Sequence, residues 1–358
     1  MANPPVENPR AVWQTIRPRA LPISFRLGRR VIPVALILLA LASLVLILSV
    51  SYGEYPIPPL DVLRTILGLT TDNARNYDLV VWTFRLPRIV LAFLVGAALG
   101  VSGALMQGVT RNPLADPGLL GVSAGASLAA LSVLLYFDDV ALSLLPFAAF
   151  GGALLAALLI YVLAWRQGGS ATIRLILIGI ALEAVLAALL NLLIIFADIR
   201  EVQQAFVWLS GSVNGRNWEH VQTLGLWLLI LLPISFLASR QLNVLNLGDE
   251  PARGLGQRVE GARLLLLTLS VALAATAVAV SGTIGFVGLI VPHITRRLVG
   301  PAHEGLLPAS ALFGGTLLML ADLIGRWVIA PAELPVGLVT AIIGAPYFLY
   351  LLYRQRHG

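Results

Sequence analysis

The sequence predicts an all-α polytopic membrane protein of about ten transmembrane helices built as an inverted internal repeat. Three observations carry this expectation. Hydrophobic residues make up 58% of the 358 and charged residues only 12%, a balance foreign to soluble globular chains. Ten apolar runs fall near 31–50, 87–107, 115–136, 142–165, 172–196, 219–238, 261–281, 284–299, 306–324 and 335–353; about 20 residues suffice to cross a bilayer as a helix. Val101-Ser102-Gly103 is matched by Val280-Ser281-Gly282, and a proline stands twelve residues after each valine, at Pro113 and Pro292. The second and seventh runs cross in opposite directions, so the repeat is inverted. Interrupted helices in matching places of such a repeat point to a transporter site at its interface.

Residues 1–30 are rich in proline and arginine (Arg10, Arg17, Arg19, Arg26, Arg29, Arg30) and lack apolar periodicity, which predicts a mobile cytoplasmic tail. Residues 31–358 then form a single transmembrane domain. The first run is longer than the apolar core of a signal peptide, about 7–15 residues, and reads as a retained helix. Over 58–68, Pro59 suits a first turn, Leu60, Leu63 and Leu67 share a face, and Gly68 stops the helix. This short amphipathic helix is expected along the outer membrane interface.

The second run is crowded with Gly96, Ala97, Ala98, Gly100, Ser102, Gly103 and Ala104, which let helix backbones approach closely in lipid. It runs into Asn112-Pro113 and Asp116-Pro117, where each proline removes an amide donor and pushes its predecessor out of helical geometry. Either this is a polar loop or it is a broken-helix element beside a pathway, since irregular backbone at membrane depth needs protein cover or a watery cavity. The eighth run is short and carries Gly285, Gly288, Pro292 and His293. Between the fifth and sixth runs, 205–212 reads as an external half-helix stopped by Gly211.

All 24 basic residues are arginine, and the formal charge is +6. Most arginines lie between apolar runs, a pattern that reports membrane orientation, not nucleic-acid binding. With both termini cytoplasmic, the outer segments hold seven (Arg64, Arg75, Arg85, Arg88, Arg200, Arg216, Arg326) and the inner ones the other seventeen. The absence of cysteine excludes disulfides, cysteine-ligated metals and thiol catalysis. No Walker A, HExxH or GxSxG motif occurs, so no catalytic or metal site is expected. Any energy source besides an ion gradient must then come from another polypeptide.

Glu183 is the one acid placed in the middle of a run. A carboxylate there either faces a cavity or is protonated and bonded to a neighbouring helix. Asn191 lies two turns on, on roughly the same face. In the segment 239–261, Asp249 can cap a short helix with Pro251 in its first turn and Gly254 or Gly256 at its end. That helix is either part of a solvated loop or a docking element for a cytoplasmic partner.

Four blocks in order carry a resemblance: Arg85-Leu86-Pro87-Arg88, Asn112-Pro113-Leu114-Ala115-Asp116-Pro117-Gly118-Leu119-Leu120-Gly121, Gly285-Phe286-Val287-Gly288-Leu289-Ile290-Val291-Pro292-His293, and Glu333-Leu334-Pro335-Val336-Gly337. The chain resembles the FecCD family of ABC importer permeases, which carry iron–siderophore complexes, haem or cobalamin. The resemblance implies a type II ABC importer permease fold in a bacterial inner membrane. It implies a homodimer with a pathway down its axis, two ATP-binding cassette subunits inside and a substrate-binding protein outside. No cofactor would be bound by this chain, and ATP would be used by the partner ATPase. Gly248, Asp249, Glu250, Ala252, Arg253, Gly254, Leu255 and Gly256 would contact that ATPase. Asn112, Leu114 and Thr172 would lie near the cytoplasmic gate, and Arg85, Arg88 and Arg326 would receive acidic residues of the binding protein. Pairing with Asp78 or Asp322 and snorkelling to lipid headgroups are the other roles open to those arginines. Glu183 departs from the small or apolar residue expected at its position.

The leading expectation is therefore the permease subunit of an ATP-driven importer of a ferric siderophore, with haem or cobalamin as alternative cargo. A stand-alone ion-coupled transporter using Glu183, and a membrane scaffold without a pathway, are the rivals.

Overall fold

The computed structural model describes residues 13–16, 25–53, 55–69, 74–136, 141–166, 169–170 and 172–355. Most of the expected tail, 1–12 and 17–24, lies outside them. Within it, Trp13–Ile16 (β1) pairs antiparallel with Phe25–Gly28 (β2), a ribbon for which the sequence gives no periodic signal.

The chain continues as α1 (Val31–Ser51), α2 (Pro59–Ile66), α3 (Ala74–Asp78) and a π-helical stretch, Leu79–Arg85, that feeds α4 (Leu86–Thr110). A 3-10 turn, Pro117–Leu120, precedes α5 (Val122–Tyr136) and α6 (Ala141–Ala164). Two short strands, β3 (Trp165–Arg166) and β4 (Gly169–Ser170), connect to α7 (Thr172–Phe196) and α8 (Ile199–Leu209). Then follow α9 (Trp218–Leu237), α10 (Ser239–Asn246), α11 (Asp249–Gly254), α12 (Val259–Ser281), α13 (Val287–Val299), α14 (His303–Val328) and α15 (Val336–Gln355).

Among the described residues eight helices are long and apolar enough to cross a membrane, and Val122–Tyr136 is a shorter apolar one. Two expected runs are shorter as helices than as apolar sequence. The run at 115–136 gives a helix of 15 residues, because Pro117 and the left-handed Gly121 hold the preceding turn out of α-geometry. The run at 284–299 gives 13 residues, because Gly282 ends α12 at φ 71° and Phe286 holds φ 67° before α13 begins. An aromatic residue in that left-handed region costs on the order of 1–3 kcal/mol, which the surrounding packing must over-determine.

Helices α4 and α12 form the centre, each with 83% of its apolar window buried. The small residues of α4 do what the sequence leads one to expect. A methyl group added to Gly96 would fall on the backbone oxygen of Gly314 in α14, and one added to Gly314 on that of Gly96. Ser102 and Ser270 lock α4 to α12 with a reciprocal clasp: Ser102 Oγ donates to the Ser270 carbonyl at 2.5 Å, and Ser270 Oγ to the Ser102 carbonyl at 2.8 Å. The matched triplets differ in local geometry, since 101–103 lies inside α4 whereas Gly282 closes α12. In α2, Leu60, Leu63 and Leu67 are exposed while Val62 and Thr65 face the protein, so its leucine face turns away from the bundle.

Candidate functional site

Polar chemistry gathers at the two ends of this apolar core. At one end the π-helical stretch closes with Arg85, and one α4 turn later comes Arg88. Arg88 grips Asp322 of α14, Nε and Nη2 lying 3.0 and 2.8 Å from Oδ1. Its Nη1 donates to Glu333 at 2.8 Å and to Asn214 at 3.2 Å. Arg326, one turn beyond Asp322, places Nε 3.2 Å from Asp322 Oδ2 and donates from Nη1 to the carbonyls of Ser49 and Tyr52. Arg85 donates to the Val50 and Tyr55 carbonyls. Two arginines thus occupy carbonyls left over at the end of α1, which no further helical turn satisfies.

The structure brings Arg85, Arg88 and Arg326 to one cavity of about 850 Å³. Pairing with Asp322, open from the sequence, is observed for Arg88 and Arg326. Arg326 and Asp322 are buried, and Arg88 has a side-chain exposure of only 11%. The sequence reading missed Glu333 and Asn214 as members of this network, although Glu333 stands in one of the four blocks.

An adjoining cavity of about 820 Å³ is bordered by Gln203, Gln204, Ser212, Asn214, Arg216 and Leu134 among others. Its wall includes a junction where helix ends are laced together. Ser212 N donates to the Ser281 carbonyl at 2.7 Å, Thr283 Oγ1 to Leu209 at 2.5 Å, and Gly337 N to Gly211 at 3.0 Å. Gly211 takes φ 67° there, and the half-helix it was expected to stop is α8, which starts earlier than expected behind an Asp198–Glu201 capping box.

At the opposite end Arg111 closes α4 in left-handed geometry. Asn112 Oδ1 accepts from Leu114 N at 3.0 Å and Asp116 Oδ1 from Gly118 N at 2.8 Å, so side chains satisfy amides that the two prolines keep out of a helix. Ala115 and Leu120 are buried, so this irregular backbone has protein cover. Gln107, which the sequence reading passed over, is buried, donates to Leu289 O at 3.1 Å and accepts from Arg296 at 3.4 Å, tying α4 to α13. A lone amide in a glycine-rich buried stripe was its signal.

The helix expected at Asp249 is α11, but Asp249 does not cap it. Gly248 at φ 111° precedes the helix, and Asp249 instead bridges Arg111 at 3.1 Å and Arg263 at 2.7 Å. Burial by itself would raise the Asp249 carboxyl. The hydrogen bond from Arg263 and the charges of Arg263, Arg111 and Arg253 outweigh it and hold the group below its ordinary 3.8. Beyond this anchor the arm is open: Glu250, Arg253 and Leu255 are exposed, Ala252 is buried, and nothing stands within 4 Å of a methyl group added at Gly254 or Gly256.

Glu183 and Asn191 are both exposed on α7, a helix with only 6% of its apolar window buried. Among the described residues of this single chain no hydrogen bond joins Glu183 to a neighbour. Thr172 begins α7, and its side chain lies outside the described set. Among the described residues no group of three or more His, Asp or Glu side chains converges to hold a metal.

Comparison with known proteins agrees across nearly the whole chain. The model of the FecCD transport family matches residues 39–354. The iron(3+)-hydroxamate import system permease protein FhuG of Bacillus subtilis (strain 168) is 46% identical over 321 residues, 88% of this chain and 94% of that protein. The hemin transport system permease protein HmuU of Yersinia pestis is 42% identical, covering 87% and 94% respectively. A solved inward-facing transporter described as of the metal-chelate ABC type superposes with a TM-score of 0.80 at 32% identity, over 90% of this chain and 99% of that one. The chain is a multi-pass membrane protein and belongs to the FecCD transport family.

Proposed function

We propose that this chain is the membrane-spanning permease subunit of an ATP-driven importer that moves a ferric siderophore delivered by an external binding protein. The observation that carries this reading is the near full-length identity to FhuG, a permease named for iron(3+)-hydroxamate import. Haem is the second reading of the cargo, favoured by the 42% identity to HmuU.

In this reading the protein sits in a bacterial inner membrane with both termini cytoplasmic and the Arg85 end outside. Two copies form the pathway, with the open faces of α7 and α15 available to a second copy, and Glu183 and Asn191 bordering it. Asn112, Leu114 and Thr172 belong to the inner gate. The arm from Gly248 to Gly256 meets one of two ATP-binding cassette subunits; exposed Leu255 between two uncrowded glycines supports it, because a partner can approach the backbone closely. The chain binds no cofactor and hydrolyses no ATP itself. Arg85, Arg88 and Arg326 face the binding protein, and since Asp322 and Glu333 already engage two of them, an incoming carboxylate exchanges with Glu333, the more exposed acid. The test is iron-55 uptake in vesicles carrying the chain, its ATPase and its binding protein. ATP-dependent uptake that stops when any one component is omitted is expected; uptake by the chain alone on an ion gradient would overturn the proposal.

A further inference from the structure

One guanidinium near the outer cavities is left unanswered by its neighbours. Arg88 and Arg326 share Asp322, and Arg85 is engaged by carbonyls. Arg216 is paired with no acid among the described residues. Its polar partner is the His220 ring, Nη1 lying 3.2 Å from Nε2, and its Nε is buried with no hydrogen-bond partner. The start of α9 sets up this neutral contact. Of two contacts at His220 Nδ1, Asn217 Oδ1 at 2.7 Å is much shorter than the Asn217 amide at 3.5 Å, which assigns the ring proton to Nδ1 and leaves Nε2 to accept from Arg216. The guanidinium is held in position without being neutralised. Burial pushes its pKa down, and no carboxylate offsets the shift.

Arg216 borders both cavities. The second, with its amide and hydroxyl side chains beside Leu134 and Val207, falls in the size range of small-molecule sites, about 300–1,000 Å³. Two acids also border it, and both are occupied: Glu333 by Arg88, and Glu201 by the amide of Asp198 at 3.2 Å. A fixed cation lacking a counter-ion, in a chamber that also offers amide donors, matches an anionic oxygen: Nη1 is held by His220 and Nε is buried, which leaves Nη2 to donate to it. We propose that Arg216 is an oxyanion-recognition residue for the cargo, receiving a carboxylate of an anionic metal chelate in the cavity beside α8. This rests on the importer reading.

The test is equilibrium dialysis of iron-55 ferric citrate, a polycarboxylate chelate, against the full-length protein in nanodiscs. Saturable binding is expected for the natural protein, weakening as salt rises. Arg216→Gln should lower affinity about tenfold or more, the scale of one lost charge-assisted pair. Arg216→Lys, which keeps the charge but not the planar group anchored on His220, should fall between the two and guards against misfolding of the Gln variant. Unchanged binding by Arg216→Gln, or no saturable binding by the natural protein up to about 10 mM, a negligible affinity, would overturn the assignment. The importer reading fails separately, if vesicles carrying all components take up no iron chelate.

Discussion

Asp322 is a carboxylate with an exposure of 3% held between two guanidinia, and its environment decides what its loss would do. Removing one partner of a buried ion pair strands the other, at a cost of roughly 3–5 kcal/mol. Asp322→Ala should therefore lower the melting temperature in detergent, and Arg88→Ala should lower it less, because Arg326 still pairs with Asp322. If Arg88→Ala melts like the natural protein, the arginine holds no structure together. The Ser102–Ser270 clasp gives a cleaner comparison. Either single alanine removes one donor to a helix carbonyl together with the 3.0 Å contact between the two hydroxyls, costing about 1 kcal/mol, and since that contact is lost only once the double alanine should cost less than the sum of the two. Asp249 predicts a pH response. Its folded pKa is depressed, so its stabilisation of the α11 arm is complete above 3.8 and is lost as pH falls through the folded value. Hydrogen exchange across 248–256 should be steady from neutral pH down to that point, after correction for intrinsic rates, and should rise below it.

At the scale of single elements, the glycines divide by what surrounds them. Gly96→Leu drives a side chain into the backbone of α14 and should abolish recovery of folded protein, whereas Gly254→Ala meets nothing and should leave folding intact. Replacing 254–256 by bulky charged residues should separate the ATPase from a folded permease; unchanged pull-down would place the contact elsewhere. The same elements show what the sequence makes legible. The stripe from Gly96 to Ala104 announces close packing because small residues have no other advantage in lipid. The arm at α11 is legible because Pro251 and the flanking glycines mark its limits. What Asp249 does is not, since Arg111 lies 138 residues away along the chain and Arg263 stands in the following helix, and only folding brings all three together. The strands β1 and β2, four residues each, are too short for their pattern to betray the ribbon. The outer arginines were legible as a group, but Glu333 and Arg216 acquire meaning only through neighbours more than a hundred residues away or from the turn before α9.

For the whole molecule, burial is uneven: α4 and α12 are enclosed, while α7 is open along nearly its full length. Exposed Ile180, Val185, Leu189 and Leu192 accompany Glu183 on it. A lipid-facing helix has little use for that acid, and a second copy packed nearby would give it a protected aqueous seam. The chain contains no cysteine, so Leu189→Cys introduces a single thiol. Treatment with a short bifunctional maleimide should join two copies in membranes, and failure to join them there would place the contact away from α7. The contact between Gly96 and Gly314 bears on motion as well. With no room even for a methyl group, α4 and α14 cannot roll or slip past each other by a residue without driving backbone into backbone. Sliding of packed helices, the shear route to a conformational change, is closed at that seam, so these two helices must swing as one lever and leave the bending to their ends.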